Sequence, residues 1–385
     1  MANTLTNLAP DLYAALDVVS RELVGLVPAV SRDSSLERAA LSQTIRSFVA
    51  PSASSSNITP GQLPADDGDQ VIGNKTITIS KSKYVAVRHT GEEEKAMNSG
   101  AGMSNIVRDQ FAQAMRVLAN EVEADLAALY VGASRAVSPA GTTLFDAANY
   151  KDVANVRKIL VDNGADPSDM SLVLNTLSGA AIRGNATYVN VDSSGSSDIL
   201  RQGILLPVHG MNVRESAQIK THTIGTGSGL KTDSTGYAVG ATSIVVATDG
   251  SGTIVAGDVI TFSTDATASK YVVTTGGDMS AGGTVVIAAP GLRGALAASQ
   301  ADIAIVADVQ RNMAFSRNAI HLVTRAPARP EIGDLAEDVM MVQDARSGLG
   351  FEVSMYKEYR RVRFEVALAW GFAVIKPEHL ALLID

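Results

Sequence analysis

The chain contains no cysteine, and this absence excludes several kinds of chemistry at once. Without thiols there are no disulfide bonds, no thiolate zinc sites and no cysteine nucleophile. No run of apolar residues approaches the roughly 18 that a membrane-spanning helix needs. The first residues have no basic cluster ahead of an apolar core, so they do not resemble a secretory signal. These features predict a protein that is made in the cytosol and has no membrane partner.

Positive charge is also scarce, since 32 Lys and Arg face 40 Asp and Glu and the formal net charge is −8. Proteins that condense nucleic acid need clustered Lys and Arg to displace counterions. Residues 1–35 contain only Arg21 and Arg32, against four acidic residues. The chain is therefore not expected to hold nucleic acid with a basic arm.

Motifs for catalysis and for metal binding are not found either. The five histidines form no metal-ligand spacing, and there is no G-x-S-x-G elbow. The segment IGTGSGLKT (224–232) is one residue from a phosphate loop, but Leu230 replaces the glycine that lets the backbone approach a phosphate. We interpret this run as a flexible hinge, and Asp66, Asp67 and Asp69 as a solvated loop rather than a calcium site. No catalytic residue, cofactor or metal is predicted.

Helical spacing of apolar residues predicts one long helix over 104–132. Its stripe runs from Val107 to Leu129, Ser104 is the natural N-cap, and the length would be about 40 Å. Shorter helices are predicted at 10–24 and 152–161. VSRDSS after the first of these is predicted to be a turn. GEEEK (91–95) is interpreted either as a solvated turn or as a charged patch that meets another subunit.

Extended segments are predicted on both sides of the long helix. Residues 42–49 and 75–89 are joined by a long polar connection, which indicates an arm that projects from the body. From about residue 223 the sequence is rich in Gly, Thr, Ser and Val, which suggests a small antiparallel barrel or sandwich inserted into an α+β body. The predicted strands there are 243–247, 258–263, 271–275 and 284–288. Other strands are predicted at 170–175, 351–359, 362–370 and 372–377.

Three stretches resemble the major coat proteins of tailed bacteriophages, close to the P22 coat-protein family. They are TLTNLAPDLYAALDVVSRELVGLVPAVSRD, RDQFAQAMRVLANEVEADLAALY and RFEVALAWGFAVIKPEHLALL. The resemblance spans nearly the whole chain. Within residues 223–299, which we call the central segment, only AGDVITF is suggestive. Another virion structural protein, such as a tail-tube or decoration protein, remains the alternative.

The resemblance implies an α+β, HK97-type capsid fold with an inserted small antiparallel β-barrel. Its expected parts are an N-terminal arm (1–40), an E-loop (41–95) that lies over a neighbouring subunit, a peripheral domain (96–145 and 347–385) with the spine helix 104–132, an axial domain (146–222 and 300–346) and the inserted β domain (223–299).

The resemblance also implies a function. Such proteins form pentamers and hexamers of themselves in an icosahedral shell, first a prohead and then a mature head, together with scaffolding and portal proteins. The shell is built in the host bacterial cytoplasm, becomes the virion capsid and encloses double-stranded DNA without sequence-specific contacts. An acidic chain suits this role, because a neutral or acidic lining lets packed DNA slide.

Contacts between subunits are expected at two groups of residues. The apolar group should lose solvent mostly by assembly, with packing inside one chain as the alternative: Ile45, Phe48, Ile77, Ile79 and Val85. The charged group consists of Glu92, Glu93, Glu94, Arg108, Arg360 and Arg361. Lys75, Lys81 and Lys83 lie where some phages of this fold form a Lys–Asn isopeptide bond, but P22-type coats do not, so no crosslink is expected.

Overall fold

The computed structural model describes residues 25–49, 57–61, 73–98, 103–139, 143–145, 151–189, 201–307, 309–343 and 347–384. The predicted helix at 10–24 and the loop with Asp66, Asp67 and Asp69 lie outside this part of the chain. The chain is 22% helix and 42% strand, which confirms the mixed α+β class.

The α-helices of the described residues are α1 (Gly91–Asn98), α2 (Met103–Ala127), α3 (Lys151–Asp162), α4 (Thr176–Gly184) and α5 (Ala186–Val189). A 3-10 helix (Ala128–Gly132) continues α2, so the two together cover the predicted rod. Helix α1 replaces the predicted turn. Thr90 and Glu93 form a capping box, in which the Thr90 N–H donates to the Glu93 carboxylate at 2.8 Å and the Glu93 N–H donates to the Thr90 hydroxyl at 3.3 Å.

The strands of the described residues, in chain order, are β1 (Ser31–Ala39), β2 (Thr44–Val49), β3 (Gly73–Thr78), β4 (Lys81–Thr90), β5 (Arg135–Val137), β6 (Met170–Leu174), β7 (Met211–Glu215), β8 (Ser243–Val246), β9 (Thr253–Ile254), β10 (Val259–Phe262), β11 (Lys270–Thr275), β12 (Gly277–Asp278), β13 (Gly283–Ile287), β14 (Ile303–Ile305), β15 (Arg311–Ser316), β16 (Ile320–Pro327), β17 (Ala336–Gln343), β18 (Gly350–Glu358), β19 (Arg361–Val374) and β20 (Leu380–Ile384). Strand β1 includes residues that were predicted to be a turn. It lies at a sheet edge with most of its side chains exposed, so it lacks the alternating pattern of a half-buried strand.

A six-stranded sheet has the order β1-β16-β19-β18-β17, and β4 also pairs with β19. Strand β19 is central: Val366 pairs with Val353 of β18 on one side and with Val85 of β4 on the other. The strands predicted at 362–370 and 372–377 are one continuous strand through Gly371. A Cβ on Gly371 would lie 2.2 Å from the Thr78 carbonyl oxygen, so glycine here permits a close backbone approach rather than ending the strand.

Helix α2 packs its apolar stripe against this sheet. Phe111 meets Phe364 edge to face, with ring centroids 5.4 Å apart, and both rings are buried. The Trp370 indole N–H donates to Asp125 of the helix at 2.8 Å, and Lys81 of β4 pairs with the same carboxylate at 2.7 Å. The helix is therefore fixed both by apolar packing and by polar contacts.

A ten-stranded sheet has the order β14-β10-β11-β5-β20-β15-β6-β7, with β13 and β8 attached through β11. The four strands predicted in the central segment correspond to β8, β10, β11 and β13. Their apolar side chains form a separate core with members such as Ile244, Ile260 and Val273. However, Lys270 and Tyr271 of β11 pair with β5 of the body, so these strands continue the body's sheet.

The two sheets combine strands from different expected domains in two places, and the expected division itself stays a prediction. Strands β16 and β17 were expected in the axial domain, but they lie in the same sheet as β18 and β19. Strand β20 was expected in the peripheral domain, but it pairs with β5 and β15 in the larger sheet. Both differences arise from long-range pairing, which no local pattern specifies.

The interpretation of residues 224–232 as a flexible hinge is wrong. The Gly225 N–H donates to the buried carboxylate of Asp258 at 3.2 Å, and the Gly227 N–H donates to the Thr253 carbonyl at 2.9 Å. A Cβ on Gly225 would lie 2.1 Å from the Thr253 oxygen. The glycine here permits tight packing of two backbone segments, and the Gly225 N–H is already occupied.

Glu123 fixes the start of the described chain to helix α2. Its carboxylate is buried and accepts the backbone N–H groups of Gly25, Leu26 and Val27 at 2.8, 2.7 and 3.0 Å. Burial raises the pKa of Glu123, although these hydrogen bonds and one from Ser216 oppose the shift.

Glu123→Gln is expected to change the pH dependence of stability. Because the folded pKa is raised, the stabilisation from this group is fully present below its unfolded pKa, near 4.5, and is lost as the pH rises through the folded value. Glutamine does not titrate, so the unfolding free energy of wild type minus that of the variant should fall as the pH rises through this window. Urea unfolding between about pH 4 and 8 measures the difference, and a constant difference would contradict the prediction.

Gly164→Ala is expected to destabilise the end of α3 by about 1 kcal/mol or slightly more. Gly164 has a φ of +80°, while a Cβ there would meet no atom within 4 Å, so the cost is one of backbone conformation. Gly184 is a matched control, because its Cβ would also meet nothing and its φ is not positive. Chemical denaturation should therefore show a loss for Gly164→Ala and none for Gly184→Ala.

Candidate interaction surfaces

Strands β2 and β3 form a two-stranded hairpin with no third strand among the described residues. The register runs from Thr44 opposite Thr78 to Val49 opposite Gly73. Between the strands, residues 57–61 are exposed, and Ile58 is 94% exposed. Two-stranded hairpins are marginally stable on their own, and their outer edges carry unpaired backbone groups. The hairpin therefore offers backbone edges and an apolar side chain to a partner.

The base of this hairpin is fixed to the six-stranded sheet. The Ser42 N–H donates to the Ile79 carbonyl and the Ile79 N–H donates to the Gln43 carbonyl, both at 2.9 Å. The Ser80 N–H then donates to the Trp370 carbonyl of β19 at 3.0 Å. The hairpin consequently leaves the body at a defined point and in a defined direction.

Two of the apolar contact candidates are buried within the chain itself. Ile77 and Ile79 are 2% and 0% exposed and belong to a cluster with Val323, Ala369 and Ile375. The expectation that these two lose solvent mostly by assembly is wrong, because the base of the hairpin lies directly against β19 at Gly371.

The other apolar candidates have different positions. Ile45 is half-buried beside the same cluster, and Val85 is half-buried against the main core under α2. The side chain of Phe48 lies outside the described part of the chain. Ile45 and Val85 thus retain exposed surface for a partner, and their contacts with another subunit stay predictions.

The lysines of this region all contact groups of their own chain. Lys75 Nζ donates to the Ile375 carbonyl at 2.6 Å, and Lys83 pairs with Glu121 of α2 at 2.8 Å. Lys81 pairs with Asp125, as described above. Each lysine therefore helps to fix the hairpin or β4 to the body.

Two acidic residues of α1 and two arginines at the turn into β19 line one terminal cleft of about 800 Å³. The Gly91 N–H donates to the Arg360 carbonyl at 3.2 Å, which holds the two segments together. The candidates that line the cleft are Glu92, Glu94, Arg360 and Arg361. The structure thus brings together four charged candidates from distant parts of the chain.

Two further charged candidates have local partners instead. Glu93 caps α1, and the Thr90 backbone N–H that its carboxylate accepts holds the pKa of Glu93 below its usual value. Arg108 pairs with the adjacent Asp109 at 3.3 Å and does not line the terminal cleft.

A side groove, which the sequence did not indicate, lies between β4 and the first half of α2. It has a volume of about 580 Å³, and its apolar lining includes Val85, Val87, Ile106 and Val117. Ile106 and Val117 are 41% and 49% exposed. Gln110 also lines the groove, and its side-chain oxygen is buried without a hydrogen-bond partner in the described residues.

The loop 328–335, which joins β16 to β17, has the most exposed aliphatic side chains of the second half of the described chain. Ile332 is 102% exposed and Leu335 is 90% exposed. The loop is nevertheless well fixed: Arg329 pairs with the buried Glu352 at 2.9 Å and with Asp334 at 3.4 Å. The only sequence signal was a pair of isolated aliphatic residues in the turn-forming stretch ARPEIGDL, with Ile332 before Gly333 and Leu335 after it.

Tyr130, His222 and Asp258 form a chain of hydrogen bonds beneath the central segment. The Tyr130 hydroxyl lies 2.8 Å from His222 Nδ1, and His222 Nε2 lies 2.8 Å from Asp258 Oδ1. His222 and Asp258 are buried, and Asp258 also accepts the backbone N–H groups of Gly225 and Val255. These groups join the central segment to the 3-10 helix that follows α2.

Within the ranges given above, no group of three or more His, Asp or Glu side chains could hold a metal ion. Among the same residues, no helix is both long enough and apolar enough to cross a membrane.

Comparisons with known proteins give structural neighbours only, since no protein-family model and no curated protein sequence matches the chain. One similar solved structure is from Mycobacterium phage Che8 (14% identity, 90% of this chain and 85% of that chain covered, TM-score 0.45). Another is the capsid of cyanophage P-SCSP1u (12%, 92% and 86%, TM-score 0.47). A third is the mature capsid of bacteriophage PhiM1 (13%, 93% and 85%, TM-score 0.46). Two of these three structures are named as phage capsids, but likenesses with TM-scores below 0.5 are too weak to assign a function.

Proposed function

We propose that this chain is a major capsid protein of a P22-type tailed phage, which assembles with copies of itself into an icosahedral shell around double-stranded DNA. The shell would form as a prohead with scaffolding and portal proteins and then become the mature head. The three sequence stretches that resemble phage coat proteins support this proposal, as do the surfaces described above.

The hairpin of β2 and β3 is the observation that carries the proposal. Its base is fixed by hydrogen bonds and by the burial of Ile77 and Ile79, whereas its outer edges have no strand partner in the described residues. A single chain gains little from an exposed two-stranded hairpin, because such hairpins are only marginally stable in water. A neighbouring subunit that covers the edges and Ile58 would pair their backbone groups, bury the apolar side chain and so stabilise the hairpin.

The distribution of the surfaces favours a lattice over a simple dimer. The side groove lies beside β4 and the loop 328–335 lies beside β17 and β18, on opposite edges of β19. The terminal cleft and the hairpin are further surfaces. A subunit with contacts on several sides can have several neighbours at once, as a closed shell requires.

The charge of the chain is compatible with DNA that is pumped into a preformed shell. A net charge of −8 gives no strong attraction to phosphates, so packed DNA would not bind tightly to the wall. DNA would therefore be contacted without sequence specificity.

Expression of the full chain in a bacterial host, alone and with the genes that flank its own, tests the proposal. We expect closed spherical particles in negative-stain micrographs, and we expect this chain as the main protein of particles that protect DNA from nuclease. Tubes would indicate a tail-tube protein, and binding only to preformed heads would indicate a decoration protein. Monomers under all of these conditions would reject the proposal.

A further inference from the structure

We propose that Ile332 and Leu335 of the loop 328–335 dock into the side groove of a second copy of this chain. The inference rests on the proposed function, since it needs many copies, and it names one contact that would join them.

The loop is built to present its apolar side chains to a partner. Ile332 and Leu335 are almost fully exposed, although the segment around them is fixed. Arg329 contacts Glu352 and Asp334, and the Tyr356 hydroxyl donates to Asp334 at 3.0 Å. A turn closes the loop, in which the Gly333 N–H donates to the Pro330 carbonyl at 3.0 Å. Because the loop is already ordered, docking would cost little conformational entropy.

The side groove has matching chemistry. Its walls include Val85, Val87, Ile106 and Val117, and its volume of about 580 Å³ accommodates two aliphatic side chains. The Gln110 oxygen, which lacks a hydrogen-bond partner among the described residues, can accept a donor from a docked segment.

Charge favours the same pairing. Glu331, next to Ile332, is exposed, and Arg88 is exposed at the rim of the groove. Neither side chain has an ion-pair partner in the described residues. Docking of Ile332 therefore brings an unpaired carboxylate towards an unpaired guanidinium, which favours this occupant over an uncharged apolar segment.

The positions of the two surfaces determine how copies are linked. Val366 of β19 pairs with β18 on the side of the loop and with β4 on the side of the groove. One chain therefore cannot fill its own groove with its own loop. Each copy would give its loop to one neighbour and accept the loop of another, and such a contact builds rings or open chains rather than closed dimers.

The lack of cysteine makes a direct test possible, because introduced thiols have no competitors. The full chain would carry Ile332→Cys and Val117→Cys and be treated with a short bis-maleimide crosslinker. We expect a ladder of covalent oligomers on denaturing gels, whose longest member gives the number of copies that the contact links. Ile332→Cys with Val161→Cys is the matched control, because Val161 of α3 is 46% exposed, close to the 49% of Val117, and should give no ladder.

A charge exchange provides a second readout that does not depend on crosslinker geometry. Glu331→Arg should slow formation of the ladder by about threefold or more, and Arg88→Glu in the same chain should restore it. If Arg88→Glu does not restore the rate, residues 331 and 88 do not pair in this contact.

The outcomes separate this contact from the proposed function. Shells that form without any ladder from the Ile332 and Val117 thiols would overturn the contact and leave the capsid function in place. A ladder from Ile58→Cys with Val117→Cys instead would show that the hairpin of a neighbour fills the groove. If no shell forms, the proposed function fails, and the presence or absence of the ladder in concentrated soluble chain still decides the contact.

Discussion

Replacement of residues 50–72 by a short Gly-Ser turn is expected to abolish shell formation while the body of the chain stays folded. The contacts that fix the base of the hairpin, from Ser80 to Trp370 and through Ile77 and Ile79, lie outside the replaced segment. The melting temperature should therefore change by no more than a few degrees, about what 1 kcal/mol produces in a chain of this size. The variant loses the exposed Ile58 and, with it, the contacts that residues 50–72 make with a neighbouring subunit in the proposed shell.

Two measurements check this prediction. Circular dichroism with thermal unfolding reports whether the body is intact, and electron microscopy with sedimentation reports assembly. Ile58→Ser is a milder companion variant, which we expect to slow assembly without preventing it. Normal shells from the shortened chain would mean that the hairpin has no part in assembly, and the main support for a capsid function would be lost.

Glu352→Gln is expected to destabilise the chain by about 3 kcal/mol. Glu352 is 2% exposed and pairs with two arginines, Arg38 at 2.7 Å and Arg329 at 2.9 Å. Loss of its charge leaves both guanidinium groups opposite a neutral amide, and an uncompensated charge near the protein interior is costly. Because Arg329 also fixes the loop 328–335, the loop should loosen together with this loss of stability.

Urea unfolding gives the free energy, and brief digestion with the glutamyl endopeptidase Glu-C followed by mass spectrometry shows whether cleavage after Glu331 becomes faster. Glu337→Gln is the matched control. Glu337 pairs with Lys357 at the same 2.7 Å as Arg38 with Glu352, but both side chains are about half exposed, so the loss should stay below about 1 kcal/mol. Equal effects of the two substitutions would contradict the assignment of Glu352 as the buried centre of this cluster.

Elements with a strong local pattern could be predicted from the sequence, and elements defined by long-range pairing could not. Helix α3 and strands β8, β10, β11 and β13 lie within one residue of their predicted limits, because periodicity reports burial directly. Strand β1 was missed because its polar residues form an edge strand that depends on β16. Helix α1 was also missed, although its capping box, Thr90 with Glu93, is a local signal that could have been used.

The same distinction holds for the interaction surfaces. The charged residues around 92–94 and 360–361 could be chosen from the sequence, but their meeting in one cleft depends on the pairing of β4 with β19. The burial of Ile77 and Ile79 depends on the close approach at Gly371. Ile332 was missed because a single aliphatic residue in a loop becomes informative only when its exposure is known.

The three-residue strand β5 connects two halves of one sheet, since it pairs with β11 of the central segment and with β20 of the body. The central segment is thereby coupled mechanically to the body of the chain. A force that tilts this segment must either bend the sheet on both sides of β5 or break the short ladder at residues 270–271. If the chain forms a pressurised shell as proposed, this pairing would make the central segment resist bending of the subunit. Strain from the internal pressure would then concentrate at β5.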